Sequence, residues 1–228
     1  MLYIVGTPLG NFEDLSIRQA KTLVNSDFIF AEDTRSTQVL LNYCYKLLKI
    51  KTLNYPQLIS YYKEKELEKL SLIIDFLNKG KNVSLVSEAG MPLISDPGYL
   101  LIKELIRKGL QYKVISGSTA ITTALLYSGM QVKNFIFLGF VPKNNTHTKK
   151  LIKQIIDTNK IFKNIAFVLY VSIYRYNDTM EILNNLIPEA EICICREMTK
   201  KFEEIIRGNP KDLLDKRFKG ELTMVVSL

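Results

Sequence analysis

The chain has little of what secreted, membrane-spanning or zinc-dependent proteins are made of. Its 228 residues include three cysteines, Cys44, Cys193 and Cys195, and a single histidine, His147. This odd, scattered set offers neither a disulfide framework nor a metal-ligand spacing, so no metal is expected. Cys193 and Cys195 fall on one face of the strand expected around Glu191 to Arg196, as two small core residues. The longest apolar stretch free of charge, around Ile165 to Tyr174, is far shorter than the roughly 18 to 20 residues a spanning helix needs. The amino terminus reads straight into a strand, without the basic region, long apolar core or cleavage site of a secretory signal. These absences predict a cytoplasmic protein with no membrane partner.

What is present is ample core material. With 47% hydrophobic and 24% charged residues, the chain can build one large domain or two compact ones of about 110 residues. The formal charge is +8, from 31 basic and 23 acidic residues. Its distribution is uneven: residues 133 to 163 hold seven lysines against Asp157 alone. Such a stripe suits a polyphosphate partner, because each neutralised phosphate releases condensed counterions. An AT-rich genome, which favours lysine, asparagine and isoleucine codons, explains the same charge, and charge alone does not choose between them.

Through residue 129 short apolar runs alternate with helical patterns. Leu2 to Val5, Phe28 to Ala31, Leu58 to Tyr61, Val83 to Ser87 and Tyr112 to Ile115 read as strands, the rhythm of a parallel α/β domain. Ser16 with Gln19 makes a capping box, and Pro97-Gly98 opens a helix running to about Lys108. Lys63 to Asn78 carries Leu67, Leu70, Ile74 and Leu77 on one stripe, closed by Gly80. A second domain is expected from residue 132 to 228, after a first of 1 to 131. Its strands are Phe135 to Phe140, Ile165 to Tyr170, Glu191 to Cys195, Glu203 to Arg207 and Leu222 to Val226. Their mixture of long and short connections predicts a mixed sheet.

Ligands of open α/β sheets sit beyond the carboxyl ends of the strands, where backbone N–H groups point outward. Four segments there stand out. Gly6-Thr-Pro-Leu-Gly-Asn11 follows the first strand but is neither a Walker loop nor a dinucleotide fingerprint. Ser87 to Gly98, after the fourth strand, packs two glycines, two prolines and two carboxylates into a dozen residues, where a plain connection needs about 2 to 6. Ser116-Gly-Ser-Thr-Ala120 presents small hydroxyls at a helix start, as a simple N-cap also would. Ala31-Glu-Asp-Thr-Arg-Ser-Thr37 sets two carboxylates beside an arginine. It suits a solvated helix start, or a site for a cation or a hydroxyl.

Taken in order, Tyr3 to Leu15, Ala31 to Arg35, Gly90-Met-Pro-Leu-Ile-Ser-Asp-Pro-Gly98, Gly139-Phe-Val-Pro142 and Arg196-Glu-Met-Thr-Lys200 resemble the ribosomal RNA small subunit methyltransferase I family, of the tetrapyrrole methylase superfamily. The similarity is collinear from about Leu2 to Val226. It implies the two-domain α/β tetrapyrrole methylase fold, with a parallel-sheet amino-terminal and a mixed-sheet carboxyl-terminal domain. It also implies S-adenosylmethionine in the cleft between them, a homodimer, and 2′-O-methylation of a cytidine in the decoding region of 16S ribosomal RNA. By motif, the cofactor residues would be Pro8, Glu88, Ala89, Gly90, Met91, Pro92, Ser118, Thr119, Ala120 and Tyr170.

A ribose hydroxyl has a very high pKa, so the transfer needs in-line positioning and a group that takes or stabilises the proton. Glu32 and Asp33 are candidates for that role. Arg35, Arg196 and Lys200 are candidates to hold flanking phosphates or favour the alkoxide, with Glu197 orienting one of these cations. Lys143, Lys149, Lys150, Lys153 and Arg175 are candidate RNA contacts. The chain departs from the family pattern at Glu88, Met91, Ser116, Ser118, Val171 and Tyr174, and Tyr62 stands where the family has histidine. It also ends at Leu228, where many members continue into a small helical domain, so part of the usual RNA grip is expected to be missing. Two alternatives remain open here: a methylase of a small tetrapyrrole, and a degenerate RNA-binding homologue that no longer transfers methyl groups.

Overall fold

Leu2–Val5 (β1), Phe28–Ala31 (β2), Gln57–Ser60 (β3), Val83–Val86 (β4) and Tyr112–Ile115 (β5) run parallel in the order β3-β2-β4-β1-β5. The structure is a computed structural model that describes residues 1–51 and 54–228. The period-2 alternation of these strands gives the sheet two apolar faces. Val5, Ile29, Ala31, Val86 and Ile115 pack under helices Ile17–Val24 (α1) and Thr34–Leu48 (α2). Leu2, Ile4, Phe30, Val83 and Leu85 pack under Glu66–Asn78 (α3) and Tyr99–Lys108 (α4). Because all strands run one way, their carboxyl ends and the loops that follow share one edge of the sheet.

Two local signals are realised as expected. Ser16 Oγ accepts from Gln19 N at 3.1 Å while Gln19 Oε1 accepts from Ser16 N at 2.7 Å, the reciprocal capping box of α1. Gly98 stands immediately before α4. The stripe of α3 differs. Leu67 is 71% exposed, and Glu66 turns inward with Ile73, Ile74 and Leu77. The inward place goes to a carboxylate because Glu66 Oε1 accepts the Gly98 and Leu100 amides and so caps α4 from a neighbouring element.

The contacts divide the chain into Met1–Thr119 and Ala120–Leu228. The second unit consists of Ala120–Ser128 (α5), Asn134–Phe140 (β6), Asn145–Ile161 (α6), Ile165–Val171 (β7), Tyr176–Leu186 (α7), Glu191–Arg196 (β8), Glu204–Gly208 (β9) and Leu222–Ser227 (β10). Its sheet order is β6-β7-β10-β8-β9, with β6 and β7 parallel and the other pairs antiparallel. α6 and α7 cover one face. α5 covers the other, laying Ile121, Ala124 and Leu125 on Ala166, Val168, Cys193, Cys195 and Val225. That packing is why the second unit begins at Ala120, ahead of the boundary expected near residue 132. Both strand cysteines are fully buried there. Among the described residues, no helix is long and apolar enough to cross a membrane.

Candidate active site

Three loops meet at the carboxyl edge of the first sheet. Thr7 and Gly90 exchange backbone hydrogen bonds, Thr7 N to Gly90 O at 2.8 Å and Gly90 N to Thr7 O at 3.2 Å. Ser87 Oγ donates to Gly90 O at 3.1 Å. Gln19 is nearly inaccessible and does double duty, donating Nε2 to Gly6 O at 2.6 Å. Gly6 and Gly117 press their backbones together. A Cβ on Gly6 would stand 2.6 Å from Met91 Sδ and 2.8 Å from Gly117 Cα, so only glycine fits. In the loop between β4 and α4, Leu93 and Ser95 hold φ of 72° and 71°, left-handed values that L side chains rarely adopt.

Below this rim lies a narrow crevice lined by Glu32, Tyr61, Ser87, Pro92, Asp96 and Pro97. Its carboxyls are crowded. Burial, then the charges of Glu88 and Glu64, raise the Glu32 pKa. Asp96 is pushed up to about 6 by burial and by Glu32 and Glu88. Asp33, the neighbour of Glu32 in sequence, differs. Its Oδ1 caps α2 by accepting Arg35 N at 2.7 Å, and its carboxylate takes the Arg35 guanidinium at 3.2 and 2.8 Å. These bonds hold its pKa down to about 2. In the structure Asp33 is a helix cap and an ion-pair partner of Arg35.

In the second unit the basic candidates separate into engaged and free side chains. Arg196 spends Nε on Lys219 O at 2.7 Å and Nη1 on Phe202 O at 3.2 Å and Glu204 Oε2 at 3.3 Å. Lys200 Nζ bonds Glu197 Oε1 at 3.1 Å and Glu221 Oε2 at 2.7 Å, and Glu197 Oε1 also accepts Glu221 N at 2.9 Å. A Cβ on Gly220 would come within 2.4 Å of that Glu197 oxygen, so Gly220 is part of the same knot. Arg175, whose side chain is 13% exposed, is tied to Pro142 O, Asn145 Oδ1 and Asp178. By contrast Lys143, Lys149, Lys150 and Lys153 are exposed. Tyr170 lies edge-on to Phe137 and Phe140.

The tetrapyrrole (corrin/porphyrin) methylase family model matches residues 1–214. A Thermotoga maritima protein named ribosomal RNA small subunit methyltransferase I is 38% identical over 230 residues, covering 99% of this chain and 97% of its own. The chain belongs to the ribosomal RNA small subunit methyltransferase I family. A Hydrogenobaculum member of the same name is 37% identical over 231 residues, covering 99% of this chain and 95% of its own. The solved structure of the methyltransferase CobJ superimposes with a TM-score of 0.69 at 17% identity, covering 99% of this chain and 93% of that one, and shows the fold.

For this member of the methyltransferase I family, the structure brings Pro8, Glu88 to Pro92, Ser118 and Thr119 to one rim or its flank, with Glu32 in the crevice beneath. Ala120 and Tyr170 belong to the second unit. The guanidinium groups of Arg175 and Arg196 are each tied to backbone carbonyl and carboxylate oxygens of the second unit. Val171 is a core residue, 3% exposed. Sequence reading missed Asp96, Tyr61 and Gln19 as contributors. Asp96 stood in a loop already marked as too stiff for a connection, and Tyr61 ended an expected strand, but neither spacing placed them beside Glu32.

Proposed function

We propose that this chain uses S-adenosylmethionine to methylate the ribose 2′-hydroxyl of a cytidine in 16S ribosomal RNA of the small subunit, where the ribosome resides. The observation that carries this reading is the full-length identity of 37 to 38% to relatives named ribosomal RNA small subunit methyltransferase I. The donor set fits the cofactor. The Glu88 carboxylate, the Ser118 hydroxyl and the Met91 thioether beside the Gly6–Gly117 contact suit a ligand bearing an ammonium, ribose hydroxyls and a sulfonium. When bound, that cofactor supplies an electrophilic methyl group.

The chain's own residues do the rest. Glu32 stands at the carboxyl end of β2 with an elevated proton affinity, suited to accept a hydroxyl proton or to orient the hydroxyl. Asp33 and Arg35 fix the turn that carries Glu32 into α2. Lys143, Lys149, Lys150 and Lys153 supply exposed positive charge for RNA phosphates. The family's homodimer is part of the proposal and is read by sedimentation. The deciding experiment compares ribosomes with and without this protein. Its removal abolishes one 2′-O-methylcytidine in 16S RNA, and unchanged methylation rejects the reading.

A further inference from the structure

We infer that β6, the edge strand of the second sheet, is a stacking platform for an unpaired RNA base, with Phe140 as its main ring and Phe135 as its second, a role that rests on the methyltransferase reading above. A bulge makes the platform. β6 pairs Phe135 with Ala166 and Phe137 with Val168 on β7, and the register then shifts so that Phe140 stands opposite Tyr170. Strict alternation would send Phe140 to the α6 face with Ile136 and Leu138. Gly139, at φ 71°, takes the left-handed turn that the extra residue needs and delivers Phe140 to the α5 face instead. There Tyr170 lies edge-on to Phe137 and to Phe140, with ring centroids 5.0 and 5.1 Å apart. The Gly139-Phe140 pair of the Gly139-Phe-Val-Pro142 motif is thus the bulge and the ring it re-aims.

The helix on this face leaves the strand uncovered. α5 lies over β7, β10 and β8, and β6 is one strand beyond them. Phe140 is 61% exposed and Phe135 46% exposed. A row of rings left in solvent on a sheet edge is an interaction surface, and the charge around it selects the partner. Lys133 and Lys143 stand just beyond the two ends of β6, both exposed and without an ion-pair partner among the described residues. From residue 133 to 163 seven lysines face Asp157 alone, and Asp157 is taken by Lys160. A second copy of this chain, meeting itself across the patch, would bring the same lysines against each other. A single strand of RNA offers both complements at once, phosphates for the lysines and flat π faces for the rings.

The test uses the full chain and two oligocytidylate strands of equal length, one with 2-aminopurine at its centre and one with an abasic ribose there. Wild type quenches the 2-aminopurine fluorescence on binding and holds the abasic strand roughly tenfold more weakly. Phe140→Leu, which keeps apolar bulk without a ring face, loses the quenching and binds both strands at the abasic level. Its melting temperature and S-adenosylmethionine affinity stay those of wild type. Phe140→Trp restores the quenching, and Phe135→Leu loses part of it. In methylation of unmethylated small subunits, Phe140→Leu raises KM for the subunit roughly tenfold with kcat unchanged. Equal wild-type affinity for the two strands, a Phe140→Leu chain that still discriminates them or keeps its KM, a fall in its cofactor affinity, or its sedimentation as a smaller species overturns this inference alone. A wild-type chain that neither binds these strands nor methylates the subunits overturns the substrate reading and this inference with it.

Discussion

Glu66 Oε1 receives the Gly98 amide at 3.0 Å, and the Leu100 amide at 3.1 Å, so a carboxylate on α3 closes the amino end of α4. α4 follows the loop that carries Glu88 and Asp96, so this bond anchors one end of the candidate site. Removing it in Glu66→Ala leaves two amides without an acceptor and opens a gap beside Tyr61. The expected loss is about 1 to 3 kcal/mol of unfolding free energy in urea, with Glu66→Gln losing less because its amide oxygen still accepts.

Gly117→Ala tests the rim. Its Cβ would stand 2.5 Å from Gln19 Nε2 and 3.0 Å from Gly6 Cα, and the second of these is backbone that cannot yield. The expected outcome is a destabilisation of about 1 to 3 kcal/mol by thermal or urea melting, with S-adenosylmethionine affinity lowered at least roughly tenfold in calorimetric titration.

Asp96 predicts a pH dependence of stability. Its folded pKa of about 6 lies above the unfolded value of about 3.9, so between these values the folded state holds the extra proton. Stability from this group therefore falls as pH rises from about 4 to 6. Asp96→Asn removes the loss. Its stability relative to wild type rises over that window by about 1 kcal/mol after allowance for solvent screening, read from urea midpoints at pH 4 and pH 7. Asp33 has the opposite sign. Its folded pKa of about 2 makes its contribution present above about 3.9 and lost as pH falls through about 2.

The basic residues separate by experiment. Lys149→Ala with Lys153→Ala leaves stability unchanged and lowers the slope of log affinity for RNA against log salt by roughly 1.5, because each lysine neutralises about one phosphate. Arg175→Ala instead costs about 2 kcal/mol of stability, because it removes one of the two donors to Pro142 O and the bonds to Asn145 and Asp178 that tie α6 to α7.

The strands of both units, the α1 capping box and the glycine before α4 were legible in the sequence, because alternation, hydroxyl caps and glycine act within a few residues. So were the loops that carry the rim, since their glycines, prolines and carboxylates exceed what a connection requires. The α3 stripe was misread at Leu67 because periodicity cannot register a carboxylate drawn inward by another helix's amides. The domain boundary differed because the apolar face of α5 could have packed on either sheet.

Local chemistry also could not separate Glu32 from Asp33. The two are adjacent and both stand beside Arg35 in sequence, and only folding decided which of them pairs with it and gave the other the company of Asp96. The sequence by itself determined which residues form strands, where the helices start and which loops are too stiff to be mere connections. Only the tertiary structure decided which charges are free. Desolvation and ion pairing depend on neighbours distant in the chain: Glu32 meets Asp96 across two intervening strands, while Arg175 and Arg196 are consumed by backbone carbonyls that no motif announces.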